Sequence, residues 1–270
     1  MKTMWMAAAL GALLGGCGGG AAPARDGDAG LPPLIPPVDG QVEGQVDGAR
    51  TGPDASADSG SWDSADSVHM VHGEGGPSRF ITNVISFTPG TCAGFGQTAM
   101  PKVVCGPPVG GGTNAGSTDV VSLGGGGEII VSFTPNAIVD GPGVDFIVFE
   151  NPFVIDGSGA IYAEPGEVSV SDDLVHWVTF PCTDATQEPP YGQCGGWHPV
   201  LSKPGNGISP FDVARAGGDA FDLADLGVEQ ARYVRIRNIV ASEACPDAGY
   251  IPKTNGFDLD AIAIVNPLLP

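Results

Sequence analysis

The chain has 270 residues, of which 31 are acidic and 11 basic, for a net charge of -20, together with 43 glycines and 25 prolines. This is a turn-rich, helix-poor composition. So negative a chain is repelled by nucleic acid phosphates and by anionic lipid surfaces, which excludes nucleic acid as a partner and leaves no basic patch to hold a membrane.

The amino terminus reads first as a targeting signal. Lys2 is followed by an apolar run, Met4 to Leu14, and then by Leu14-Gly15-Gly16-Cys17. The run is too short to cross a bilayer as a helix, which takes about 20 residues, and the small residues before Cys17 suit a peptidase cutting there. The pattern resembles a bacterial lipobox, which implies a signal peptide over residues 1–16 and a mature chain beginning at a lipidated Cys17. Acyl chains contribute about 0.8 kcal/mol per buried methylene, so they would hold the protein on a membrane without inserted protein. Gly18 stands where lipoproteins retained in the inner membrane often carry Asp, so the resemblance implies the outer membrane.

Residues 17–78 read as an acidic, Gly-, Pro- and Asp-rich linker. Gly18 to Ser78 contains ten acids and two bases, little apolar clustering, and the loose repeat VDGQ-VEGQ-VDGA. Such a segment buries too little surface to offset its ordering entropy and is expected to be a disordered tether. Its Asp-Gly pairs lack the Asp ladder and terminal Glu of a calcium loop, and His69 and His72 have no third ligand nearby.

From about Arg79 to the carboxyl terminus, short β-branched and aromatic runs recur between Gly, Pro and Asp clusters. The expected strands are Phe80–Thr88, Val120–Leu123, Glu128–Phe133, Val144–Glu150, Val168–Ser171, Val175–Phe180, Tyr233–Ile239 and Leu259–Val265. Gly124 to Gly127 would permit a tight reversal with positive φ, and Asp172-Asp173 a second turn. Alternation in VHWVTF puts Trp177 and His176 on opposite faces, with the tryptophan inward. Residues 79–270 therefore fit one all-β domain, an antiparallel β-sandwich or jelly roll.

Beyond Cys17 there are five cysteines, which in an exported chain favour disulfides over metal sites. The local pairs Cys92 with Cys105 and Cys182 with Cys194 are expected, leaving Cys245 over.

No Gly-x-Ser-x-Gly elbow, no His-Glu-x-x-His helix and no phosphate loop is present; GGGTNAG lacks the closing Lys-Ser/Thr. The acids are more informative. Asp145, Glu150 and Asn151 flank the DFIVFEN strand, Asp219, Asp222 and Asp225 punctuate GGDAFDLADLG, and Asp258 and Asp260 open the last strand. A carboxylate within apolar sequence needs a cation, an Arg or backbone donors. Calcium would satisfy several of these oxygens together. The competing expectation is that Arg232, Arg235 and Arg237 neutralise them across strands. Paired carboxylates could also serve a glycoside hydrolase, the least favoured reading.

The stretch EVSVSDDLVHWVTF, Glu167 to Phe180, resembles the discoidin, or coagulation-factor type C, pattern of a strand ending in Ser-x-Asp-Gly before a strand with Trp. ARYVRIRNI, Ala231 to Ile239, is similar to that family's late aromatic-Val-Arg-Ile strand. Here Asp173-Leu174 replaces the Asp-Gly, and Pro181 to Ala220 is an insertion. Across Phe80 to Asn266 the series SFTPG, AGFGQ, DVVSLGGGGEIIVSF, IVDGPGVDFIVFENPF, GGDAFDLADLG and GFDLDAI resembles a module of cell-surface lipoproteins from myxobacteria and similar bacteria, one with no activity to carry over. The resemblances imply a galactose-binding-like sandwich but carry no ligand. Because such sandwiches present loop aromatics, Tyr191, Trp197 and Tyr250 are the expected contacts to a carbohydrate or other surface polymer. The expectation is thus a non-catalytic binding module; a structural or adhesive envelope protein is the alternative.

Overall fold

Two strands buried along their whole length set the architecture of the computed structural model, Phe146–Phe149 and Ala261–Ile264. The structure describes residues 16–17, 78–183, 192–239 and 256–270, which fall in one compact unit of the chain. The expected tether, Tyr191, Tyr250 and Cys245 lie outside the described residues. In chain order the strands are β1 Asn83–Thr88, β2 Val121–Ser122, β3 Glu128–Ser132, β4 Ile138–Val139, β5 Phe146–Phe149, β6 Phe153–Val154 and β7 Ile161–Tyr162. They continue with β8 Gly166–Ser171, β9 Val178–Thr179, β10 Asp219–Phe221, β11 Gln230–Ala231, β12 Tyr233–Asn238, β13 Asp258–Leu259 and β14 Ala261–Ile264.

The domain is all-β and antiparallel. The two larger sheets run β1-β3-β12-β8-β9 and β10-β5-β14, and the strand pairs β11-β4, β13-β2 and β6-β7 make three small sheets beside them. In β12 the period of two is clean: Val234 and Ile236 are buried while Arg235 and Arg237 alternate with them. The inward residues of both sheets, among them Val84, Ile129, Val168 and Ile236 against Phe146, Val148, Ile262 and Ile264, form one core. Phe146, Phe180 and Phe221 pack as a ring triad within it, with centroids 4.8 to 6.0 Å apart. The β10-β5-β14 sheet is covered on its outer face as well, where Ile147, Phe149, Ala261 and Ala263 meet Phe80, Val200 and Ala216. That second layer explains why β5 and β14 read as continuous apolar runs, since both faces are out of water.

Several local expectations are corrected. The strand expected over Val175–Phe180 begins at Val178, because Asp173 accepts the amides of Val175 and His176, both at 2.8 Å, and holds the turn open through Trp177. Trp177 is consequently not a core residue. Its indole donates to the Leu174 carbonyl, and the Arg235 guanidinium lies over its ring at 4.5 Å. Leu259–Val265 is two strands, since β13 pairs with β2 and β14 with β5. The Gly124–Gly127 reversal has positive φ at Gly124 and Gly126.

The disulfides also differ. Cys182 is bonded to Cys194 as the spacing suggested. Cys105, however, is bonded to Cys17 and not to Cys92, although Cys92 is itself disulfide-bonded. Gly16 bridges Asn83 and the Cys17 amide donates to the Thr82 carbonyl at 2.9 Å, which lays this pair of residues along the free edge of β1. The Cys17 sulfur expected to carry lipid is thus engaged in this structure, and a disulfide excludes a thioether on the same atom.

Candidate functional site

The structure sorts the candidate acids into separate places. Asp145 and Glu150 bracket β5 and stand at its opposite ends. At the Asp145 end, Asp140, Asp145 and Asp222 bring carboxylate oxygens within 4.8 Å of one another. Asp145 there accepts from the Gly141 and Leu223 amides and the Asn266 side chain, while Asp222 caps the 3-10 turn Leu223–Leu226 through the Ala224 amide. These contacts make a hydrogen-bonded joint between strands and turn. Asp225 is drawn away by Gln193, and both oxygens of Asp260 accept the Val109 amide, at 3.1 and 2.9 Å. Burial pushes the Asp260 carboxyl well up.

At the other end of β5 the chain brings together Glu150, Asn151 and Asp258, and adds Glu164, which no periodicity marked. Glu150 accepts the Asp258 amide at 2.7 Å, and Glu164 accepts the Gly256 amide at 2.6 Å, so two carboxylates clamp the Gly256-Phe257-Asp258 segment. Ser122 donates to Asp258, which also bonds the Asn151 side chain; the Asn151 side-chain oxygen Oδ1 in turn accepts the Ser117 amide. Glu150 is 3% exposed and its second oxygen, Oε2, has no hydrogen-bond partner. Burial pushes the Glu150 carboxyl well up, and the charges of Asp258 and Glu164 add to the effect. Burial raises Glu164 to about 7, opposed by the Gly256 amide and reinforced by the charge of Asp258. Tyr162, hydrogen-bonded to Glu164, rises to about 12, from burial first and then from the neighbouring acids.

Neither Arg232 nor the two arginines of β12 reach this place. Arg237 pairs with Glu167 at 2.6 Å, Arg235 stands 4.0 Å from Glu128, and Arg232 pairs with Asp172 at 2.6 Å. The outward phase of β12 aims Arg235 and Arg237 at the solvent face of the large sheet, and Arg232, just ahead of the strand, is held by Asp172. Among the described residues, the nest of Glu150, Glu164 and Asp258 therefore has no cationic partner.

A second arrangement lies on the loop after Cys194. Buried Asp219, at the start of β10, accepts the Gly196 amide at 2.6 Å and the Trp197 amide at 3.1 Å, and its other oxygen is 2.6 Å from His198 Nδ1. The hydrogen bond to Asp219 raises His198 above its ordinary value, partly offset by its own burial. The Trp197 and His198 rings lie 3.9 Å apart, with Trp197 half-buried and His198 exposed. Sequence reasoning found Trp197 by its loop context but did not join His198 to Asp219, because the pair is separated by 21 residues with no motif between them. The two arrangements are neighbours, since Gly195 and Gly196 pass close over the Phe257 ring and Gly196 also abuts the Glu164 carbonyl.

Compared with known proteins, the chain matches no family model and no curated protein.

Proposed function

We propose that this chain is an exported envelope protein whose sandwich domain binds a carbohydrate or similar surface polymer without catalysis. The observation that carries the reading is the Trp197–His198 pair, held in place by buried Asp219 and placed three residues beyond the Cys182–Cys194 disulfide. A sugar is recognised by an aromatic face together with fixed hydrogen-bonding groups, and a ligand loop that is already ordered loses less entropy on binding. Two backbone amides and the imidazole anchored on one carboxylate provide that order. The lack of a nucleophile elbow or zinc helix in the sequence supports a binding role over hydrolysis. The test is a glycan and envelope-polysaccharide array probed with the wild type, Trp197→Ala and Asp219→Asn. Signal lost in both variants supports the reading, and an array silent for the wild type removes it.

We also propose that the exported form is anchored through lipid on Cys17, in the outer membrane of a Gram-negative cell. The support is the Leu-Gly-Gly-Cys sequence, which stands ahead of Cys105 by 88 residues, so that Cys17 reaches the export machinery before its disulfide partner exists. The disulfide is then the arrangement of the unacylated chain.

A second reading, adhesion to another protein, is favoured by the β6–β7 hairpin. Ile155, Ile161 and Tyr162 are 43 to 46% exposed there, a small apolar surface next to the acid nest. Concentration-dependent self-association or capture of envelope proteins, lost on Ile155→Ser/Ile161→Ser, would move the assignment to this reading.

A further inference from the structure

Glu150 follows β5, Glu164 precedes β8 and Asp258 opens β13, so three separate elements deliver one acid each to the same end of the sandwich. The fold supplies them only with neutral donors: the Asp258 and Asn151 amides for Glu150, the Gly256 amide and Tyr162 hydroxyl for Glu164, and the Ser122 hydroxyl and Asn151 side chain for Asp258. Donors of this kind carry partial charge only. Three carboxylates gathered out of water repel one another, and their desolvation is offset only by a full positive charge or by protons.

Glu150 Oε2 is the atom that decides between ordinary hydrogen bonding and a missing ligand. It is buried, its side chain belongs to a residue 3% exposed, and it has no partner. Most buried polar atoms are satisfied, and one left without a donor costs roughly 1–3 kcal/mol, more when charged. The Asp140–Asp145–Asp222 group, though tighter, has no such buried atom: both oxygens of buried Asp145 accept backbone amides, Asp222 caps a turn, and Asp140 is exposed to water. Around Glu150 the donor atoms are oxygens from carboxylates and from the Asn151 amide, without His or Cys. An all-oxygen set suits a hard cation, and an irregular one drawn from loops and strand ends suits calcium better than magnesium, which demands near-octahedral geometry.

We propose that Glu150 and Asp258, with Glu164 as the third acid, take up a hard divalent cation, calcium foremost, between the end of β5 and the start of β13. The cation balances the nest and fixes the Gly256–Asp258 segment that both glutamates clamp. Phe257 in that segment lies under Gly195 and Gly196, so the same ion stiffens the base of the loop that carries Trp197. The site stands apart from any ligand at Trp197, and its test uses metal alone.

The experiment is thermal unfolding of the chelator-stripped chain with and without millimolar calcium, joined to terbium luminescence excited through tyrosine. The wild type is expected to melt about 5 °C or more higher with calcium. Glu150→Gln and Asp258→Asn should lose that rise, and Glu150→Gln should melt above the wild type in chelator, because the amide removes an unbalanced buried charge. Tyr162→Phe should keep the calcium rise and lose the sensitised terbium emission. Asp222→Asn should keep both. If Glu150→Gln does not fold, Asp258→Asn and Tyr162→Phe carry the test. The proposal is overturned by a wild type indifferent to millimolar calcium, including one stabilised only by acid, or by a rise that survives Asp258→Asn and disappears in Asp222→Asn.

Discussion

Cys17 is bonded to Cys105 across 88 residues of sequence, and its amide donates to the Thr82 carbonyl, so the cysteine proposed to carry lipid sits on the edge of β1. One sulfur cannot hold both this bond and a lipid thioether, which makes its covalent state a measurable property of each preparation. In protein extracted from membranes, peptide mapping without reduction should find diacylglycerol on Cys17 and Cys105 open to alkylation. In chain folded from residue 17 onward without lipidation, the same mapping should return a Cys17–Cys105 cross-link. A cross-linked peptide from the membrane fraction would sink the anchoring proposal.

The two forms should also differ in how they respond to Cys105→Ser. Closing a loop of this length restricts the unfolded chain by roughly 4 to 5 kcal/mol in the chain-entropy account. Cys105→Ser should therefore destabilise the unacylated chain by several kcal/mol in urea titration and leave the lipidated form within about 0.5 kcal/mol of its parent.

Phe180 tests the core. It closes β9 and packs on Phe221 and Phe146, fully buried between the sheets. Phe180→Ala should cost about 3–5 kcal/mol, because the space left among three rings collapses poorly. A loss under 1 kcal/mol in chemical denaturation would mean that the ring triad is not packed as described.

Leu174 probes backbone strain in the turn before β9. It occupies the left-handed region at φ 66°, where a side chain is strained and glycine is not. Leu174→Gly should be neutral or raise stability by up to about 1 kcal/mol, relief of strain being partly cancelled by the freer unfolded chain. Gly196→Ala should do the reverse: Gly196 is at φ 91°, and an added Cβ would lie 3.0 Å from both the Glu164 carbonyl and Phe257. Thermal melts of the two variants that moved together would contradict this account.

Most strands of the two main sheets were legible because their apolar spacing is local: β3, β5, β8 and β12 fall on the expected runs with ends shifted by one or two residues, whereas the three-residue β10 was not expected at all. The two-residue strands β4, β6, β7 and β11 were not, being too short for any period to show. Trp177 was misplaced because alternation was counted through a turn whose length Asp173 sets by hydrogen bonds. The acids flanking β5 were visible as unusual, yet only topology separates Asp145 from Glu150 and carries Glu164 and Asp258 to the same end. His198 and Asp219 needed the fold for the same reason. Asp219 was visible only as one acid of GGDAFDLADLG and His198 by no motif at all, and their meeting depends on where the loop after Cys194 crosses β10.

That pair supplies the pH-dependent signature of the domain. The hydrogen bond from Nδ1 to Asp219 holds the imidazolium, so His198 should titrate above the ordinary 6.5. A folded-state value raised above the unfolded one stabilises the fold fully below about 6.5, and this contribution disappears as the pH rises through the folded value. Wild-type melting temperature should accordingly fall on the alkaline side of 6.5 relative to His198→Gln, with the two curves running parallel beyond the folded value. Imidazole NMR gives the direct measurement. In Asp219→Asn the only remaining influence of the pair is burial, which disfavours the cation, so the His198 resonance should then titrate at or below 6.5. An unchanged titration in Asp219→Asn would break the link between these residues and with it the ordered Trp197–His198 surface.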